Sequence, residues 1–342
     1  MPNISKIKIV CFGGGTGLSS LLSGLKQNPF FEITAVVTMF DNGGSSGCLR
    51  DRFGILPPGD ILRCLLALSE DEVAARKLLL KRIERPEVVR HTGGNLLLFA
   101  LEKVYNDYLA AVDACGQILS IRGRVVPVSL TPSSLGAVFE DDSEAHGETS
   151  VDAAIAQGRK VAKLFLTPEI MATQAALQAI DAAELVCVGP GSLFTSIFPN
   201  FLPRGVAEAL QNSNKPLIYI ANLLSEGPSE DRTLSSQVAL AEKYLGRKIN
   251  VVIANNKIPD EQALAKYRAA HKTPIVIDEV PGVKILNADL WQTPEIARHD
   301  SARLAYLLHS AASMRVTPAP ELSAEAREAK AKPGSSDLAP NQ

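Results

Sequence analysis

The stretch Ile7-Lys8-Ile9-Val10-Cys11-Phe12-Gly13-Gly14-Gly15-Thr16-Gly17-Leu18-Ser19-Ser20 decides how the rest of the chain is read. An apolar run of strand length gives way to a glycine-rich turn and then to a segment of helical period. Glycines let the backbone turn sharply there and let an anion approach the free N–H groups and positive end of the helix that follows. Two standard phosphate loops fail in detail. Read from Gly13, the dinucleotide pattern G-x-G-x-x-G meets Leu18 at its third glycine, and no Gly-Lys-Ser/Thr follows as a Walker loop requires. The stretch predicts a strand, an anion-accepting turn over Gly13, Gly14, Gly15, Thr16, Gly17 and Leu18, and a helix. It disfavours an NAD-dependent dehydrogenase.

The same order recurs along the chain. Ile7–Phe12, Ile33–Met39, Arg124–Leu130, Lys163–Leu166, Leu185–Val188, Leu217–Ala221, Val251–Ala254 and Ile275–Ile277 are the expected strands. Between them, Leu18–Lys26, Ile61–Leu68, Val73–Ile83, Leu96–Tyr108, Ile170–Ile180, Arg204–Leu210, Ser236–Leu245 and Asp260–His271 carry amphipathic helical spacing. Several strands are apolar at successive positions, so both faces of the sheet should be covered. The expected fold class is α/β, Rossmann-like, with a mostly parallel sheet and helices on both faces. No Pro/Gly/Ser-rich break divides residues 1–315, which reads as a single domain with elaborations. Residues 316–342, rich in Pro, Ala, Ser and charge, read as a disordered tail.

With 342 residues, 46% of them hydrophobic, the chain can bury a large core without staples. A formal charge of −2 offers no field for a nucleic-acid backbone, so nucleic acid is not an expected partner. The five cysteines form no C-x-x-C and mostly sit in apolar runs, a pattern of the reducing cytosol. Met1–Lys8 lacks the apolar stretch of a signal peptide and no run approaches the ~18 apolar residues of a membrane span, so a cytoplasmic protein is expected.

Further motifs follow other strands. Asp41-Asn42-Gly43-Gly44-Ser45 places an acid where a ribose hydroxyl could be met, then a second anion-accepting nest. Asp60, in Pro57-Pro58-Gly59-Asp60, reads either as a helix cap or as a ligand or metal contact, with Arg63 one turn on to touch a phosphate or offset the acid. His91 and Asn95, in His91-Thr92-Gly93-Gly94-Asn95, open a further helix, and His91 is the one histidine that belongs to a glycine-pair motif, the candidate for proton transfer or ligand contact. Gly189-Pro190-Gly191-Ser192, straight after an apolar strand, is a third turn of the same kind. Glu140–Glu148, five acids without Lys or Arg, reads as a solvated hairpin turn. No nucleophile, zinc-ligand spacing or acid-base pair stands out, so catalytic residues are unassigned and no metal site is assigned.

Taken in order, Gly13–Ser19, Asp41–Gly47, Pro57–Asp60, Gly94–Leu96 and Gly189–Ile197 resemble the bacterial gluconeogenesis factor family, related to 2-phospho-L-lactate transferase, over about residues 7–312. The resemblance implies a regulatory protein of cell shape and wall synthesis on gluconeogenic carbon sources, with UDP-sugars such as UDP-N-acetylglucosamine as ligands. By the same resemblance Tyr267 and Arg298 are candidate nucleotide-sugar contacts, Tyr267 by stacking on a base and Arg298 by pairing with a pyrophosphate. Asn42 stands where many members carry an acid, and Arg90 where a glycine precedes the histidine. The first change weakens a paired-acid Mg²⁺ site and a transferase activity. Mg²⁺ and assembly into a homo-oligomer are left open.

Overall fold

A computed structural model describes residues 6–43, 56–82, 91–226, 232–293 and 295–314. Gly44, Ser45, Arg90 and the tail 316–342 lie outside these described residues. The strands are β1 (Ile7–Gly13), β2 (Phe31–Val37), β3 (Arg124–Pro127), β4 (Ser134–Phe139), β5 (Glu144–His146), β6 (Val161–Thr167), β7 (Leu185–Val188), β8 (Leu217–Ile220), β9 (Val251–Asn255), β10 (Lys284–Ala288), β11 (Trp291–Thr293) and β12 (Ile296–His299). The α-helices are α1 (Gly15–Leu25), α2 (Gly59–Leu68), α3 (Glu72–Leu79), α4 (Gly93–Tyr105), α5 (Tyr108–Ile118), α6 (Glu148–Ala156), α7 (Gln174–Ala182), α8 (Val206–Gln211), α9 (Leu234–Leu245), α10 (Glu261–Ala269) and α11 (Ser301–Ser313).

Seven strands form one parallel sheet in the order β10-β9-β8-β7-β1-β2-β3. Along β1, Val10 and Phe12 enter one core layer and Ile9 and Cys11 the other, as the two-residue period of a strand requires when both faces are covered. Leu18, Leu21, Leu22 and Leu25 of α1 close the second layer together with α2 and α11. Val151 and Ile155 of α6 and Val238 and Leu245 of α9 help close the first. The chain builds outward from β1 to β3 on one side and from β7 to β10 on the other. The carboxyl ends of β1 and β7 therefore flank the point where strand order reverses, where open α/β sheets bind ligands.

Four expectations change. Lys163–Leu166 is a strand, but it lies in a separate antiparallel sheet ordered β5-β4-β6. Its alternating burial, with Lys163 exposed and Leu164 and Leu166 buried, fits a sheet wet on one face. Ile275–Ile277 makes only isolated bridges, and Pro274 beside it has no N–H to give a ladder. The seventh strand is instead Lys284–Ala288 on the sheet edge. Leu96–Tyr108 is broken: α4 stops at Asn106 in the left-handed region (φ 51°), and Asp107 then caps α5 by accepting the Ala110 N–H. The expected hairpin at Glu140–Glu148 is present, with its turn between β4 and β5, but Glu148 opens α6. Among the described residues no helix is long and apolar enough to cross a membrane.

Candidate functional site

The turns after β1 and β7 meet. The strands are paired up to Phe12 and Val188, and the Gly189 N–H donates to the Phe12 carbonyl at 3.0 Å. Gly189 has a φ of 85°, which glycine adopts without strain. The Asn200 amide, fully buried, donates to the carbonyls of Gly13 (3.2 Å) and Ser196 (2.9 Å) and so ties one turn to the other. Gly17 is packed so closely on the second turn that a Cβ there would stand 2.2 Å from the Pro190 carbonyl oxygen.

A cavity of about 670 Å³ opens over this junction. Thr16, Gly17, Pro190, Gly191 and Ser192 form its floor, and Tyr267, Lys272, Arg298 and His299 stand around it. The N–H groups of Thr16 and Gly17 belong to the first turn of α1, where an α-helix has no intrahelical acceptors for them. Tyr267 is fixed at its rim: its hydroxyl accepts the Ala297 N–H at 2.7 Å, and its ring meets Trp291 edge-on. That bond also ties α10 to β12, which carries Arg298.

The second turn is not bare. The Asn222 side chain accepts the Gly191 N–H at 3.2 Å and donates to the Gly191 carbonyl at 2.8 Å. The Glu226 carboxylate accepts the Leu193 N–H and, at 3.3 Å, the Ser192 hydroxyl. The free nest expected at Gly189–Ser192 is thus partly filled by the chain's own side chains.

A second cavity of about 400 Å³ adjoins the first, and Asp152 and Ser192 line both. Gly15, Asp41, Gly43, Asp60, Arg63 and Asn95 line it, with Glu148 from α6. Asp41 is held by a local turn, accepting the Gly43 N–H at 2.8 Å. Asp60 pairs with Arg63 at 3.1 Å and faces the Thr38 hydroxyl at 3.4 Å. Burial raises its carboxyl above the ordinary range and Asp41 adds to this, against Arg63, the Gly15 N–H and Thr38. Burial, with Asp41, Asp60 and Asp152 nearby, pushes Glu148 up to about 8, although the Asn42 N–H opposes it. Asp152 is also raised by the walls around it, with the Thr195 hydroxyl and Lys272 acting the other way.

Other candidates lie away from both cavities. Gly13 ends β1, and Gly14 precedes α1 with Thr38 and Asp60 at its back. Leu18 is core, packed beneath Gly13. The Asn42 side chain accepts the Thr149 N–H at 3.1 Å, bracing α6. His91 is buried ahead of α4 and lines neither cavity. The histidine that does line one is His299, buried and pushed down to about 4, so it is neutral at pH 7; its Nε2 lies 3.1 Å from the Ala221 carbonyl. His299, Asp152, Lys272 and Glu226 carry no motif in the sequence, because each reaches the site only through tertiary packing.

Fold and site together define a Rossmann-type α/β protein with a ligand-sized, two-chambered cavity at the switch point of its sheet. The chain belongs to the family described as 2-phospho-L-lactate transferase CofD, whose pattern matches residues 9–291. It is 37% identical over 312 residues to the gluconeogenesis factor of Halalkalibacterium halodurans, covering 88% of this chain and 95% of that one. It is 35% identical over 313 residues to the gluconeogenesis factor of Bacillus subtilis, covering 89% and 97%. A crystal structure of a Bacillus halodurans member of the UPF0052 family superposes with a TM-score of 0.82 at 33% identity, covering 88% of this chain and 99% of the other.

Proposed function

We propose that this protein is a cytoplasmic regulator that binds a UDP-sugar of the UDP-N-acetylglucosamine type in the larger cavity, and that it serves cell shape and wall synthesis during growth on gluconeogenic carbon sources. The observation that carries the reading is the convergence of the α1 amino terminus with Tyr267, Lys272 and Arg298 around one cavity of about 670 Å³. A volume of that order suits a nucleotide-sized ligand. In this reading the diphosphate lies over the N–H groups of Thr16 and Gly17, where the helix dipole and two cations favour negative charge. Tyr267 offers its face to the base and Arg298 its fork to the phosphates. The gluconeogenesis factors among its relatives support the physiological part. Titration calorimetry with UDP-N-acetylglucosamine tests the reading: one site per chain is expected, and neither heat nor thermal stabilisation at millimolar ligand removes it.

A second reading is favoured by the acid-lined second chamber and by the family's description: transfer of a phosphorylated small acid to a nucleotide or flavin-like acceptor, with both partners meeting at the shared wall of Asp152 and Ser192. Its Mg²⁺, held by Asp41 and Asp60, does not fit the side chains as they stand. Asp60 already accepts from Arg63, Thr38 and Gly15, and among the described residues no group of three or more His, Cys, Asp or Glu is gathered for a metal ion. Mass spectrometry of incubations with GTP and phospho-acids, with and without Mg²⁺, decides whether product forms.

A further inference from the structure

We propose that Glu226 is a built-in competitor for the ligand's phosphates: its carboxylate occupies anion-accepting donors of the turn after β7, and a diphosphate engaging that turn displaces it. The inference rests on the UDP-sugar reading above and adds how that site is regulated. Glu226 lines the larger cavity, and its two oxygens take the Leu193 N–H and the Ser192 hydroxyl, donors of the kind a phosphate uses. The Ser192 hydroxyl lies 2.8 Å from the Thr195 hydroxyl, which also faces Asp152, so the turn's own side chains hold it in place.

The chain also aims Glu226 there. The preceding residues are anchored on the far wall: the Ser225 N–H donates to the Thr273 carbonyl at 2.8 Å, the Thr273 N–H returns to the Ser225 hydroxyl at 3.1 Å, and Leu224 bridges to Pro274. This strap sets Glu226 in the cavity wall beside Ser192. The segment it pairs with begins at Lys272, which lines the same cavity, so carboxylate and cation are delivered there by two paired segments. A diphosphate gains from Lys272 and Arg298 but meets like charge at Glu226, and like charges brought together weaken binding. The site then favours ligands whose phosphates outcompete a carboxylate and turns away singly charged ones.

The experiment compares wild type with Glu226→Ala and Glu226→Gln by calorimetry against UDP-N-acetylglucosamine, inorganic pyrophosphate and uridine, with thermal unfolding of each variant as the check on folding. Displacement predicts that Glu226→Ala binds UDP-N-acetylglucosamine and pyrophosphate about tenfold more tightly. Glu226→Gln, which keeps an acceptor but loses the charge, should move the same way by less, and uridine should not change. A bracing role has the opposite sign: Glu226→Ala weakens binding, Glu226→Gln matches wild type, and the proposal is overturned. Equal tightening of uridine also overturns it. If UDP-N-acetylglucosamine fails to bind any form while pyrophosphate still tightens, the UDP-sugar reading falls and the competition stands. If neither ligand binds any form, both fall.

Discussion

Gly17 and Pro190 meet at the carboxyl edge of the sheet, with no room for a Cβ between the first turn of α1 and the carbonyl that follows β7. This contact makes two distant glycine turns into one floor. Gly17→Ala must push them apart, because the nearest atoms are backbone of Pro190 and Gly191. We expect a loss of about 1–3 kcal/mol in chemical denaturation and at least about tenfold weaker UDP-N-acetylglucosamine binding. Gly24→Ala is the control. Its Cβ would meet the Ser301 carbonyl at 1.9 Å on the α1–α11 contact, away from the Gly17–Pro190 junction, so it should destabilise the fold while weakening binding less than Gly17→Ala.

Tyr267→Phe separates stacking from tethering. The ring remains, but the hydroxyl that accepts the Ala297 N–H is lost, and with it the tie between α10 and the strand bearing Arg298. Calorimetry should show UDP-N-acetylglucosamine affinity reduced about three- to tenfold, a cost near that of one hydrogen bond. Tyr267→Ala, which also removes the ring face, should lose more.

Glu148 gives the protein a particular response to alkali. Its folded pKa of about 8 lies above the ordinary 4.5, so its contribution to stability is whole below pH 4.5 and is lost as pH rises through 8. Denaturation at pH 5 and pH 9 should differ on this account by on the order of 3 kcal/mol. Glu148→Gln should flatten that slope and be the more stable protein at pH 9.

Lys26 and Glu72 behave in the opposite sense. The Lys26 ammonium, its side chain only 4% exposed, donates to Glu72 at 2.7 Å and to the Ser69 carbonyl at 2.8 Å. Burial alone would raise the Glu72 carboxyl, but bonds from Lys26, Arg76 and Ser23 outweigh it and hold it below 4.5. The stabilisation is therefore whole above about pH 4.5 and is lost as pH falls through the lower folded value. Glu72→Ala leaves a buried ammonium without its carboxylate, and equilibrium unfolding should register a loss of about 3 kcal/mol or more.

What the sequence made legible was local. Gly13–Gly17 and Gly189–Ser192 follow apolar runs directly, so a strand end and a tight turn were visible in a few residues, and parallel strands bring such turns to one edge. Tyr267 and Arg298 came from the family pattern, and both line the cavity with those turns. What stayed hidden depends on packing at a distance. Glu148 looked like the end of a solvated acidic run, and only the docking of α6 turns it and Asp152 toward the cavities. Leu18 sat within a glycine motif yet belongs to the core face of α1, because the helix begins at Gly15 and its period carries residue 18 inward. His299 followed an arginine with no glycine near it, and only the β11–β12 pairing brings it beneath Ala221.

In the proposed function these two turns hold one diphosphate. A crystal structure of the protein with UDP-N-acetylglucosamine tests it most directly. It should show phosphate oxygens within hydrogen-bonding distance of the Thr16 or Gly17 nitrogen and of the Ser192 hydroxyl, with the uracil against Tyr267. A nucleotide sugar seated elsewhere, or one whose phosphates touch neither turn, would contradict it.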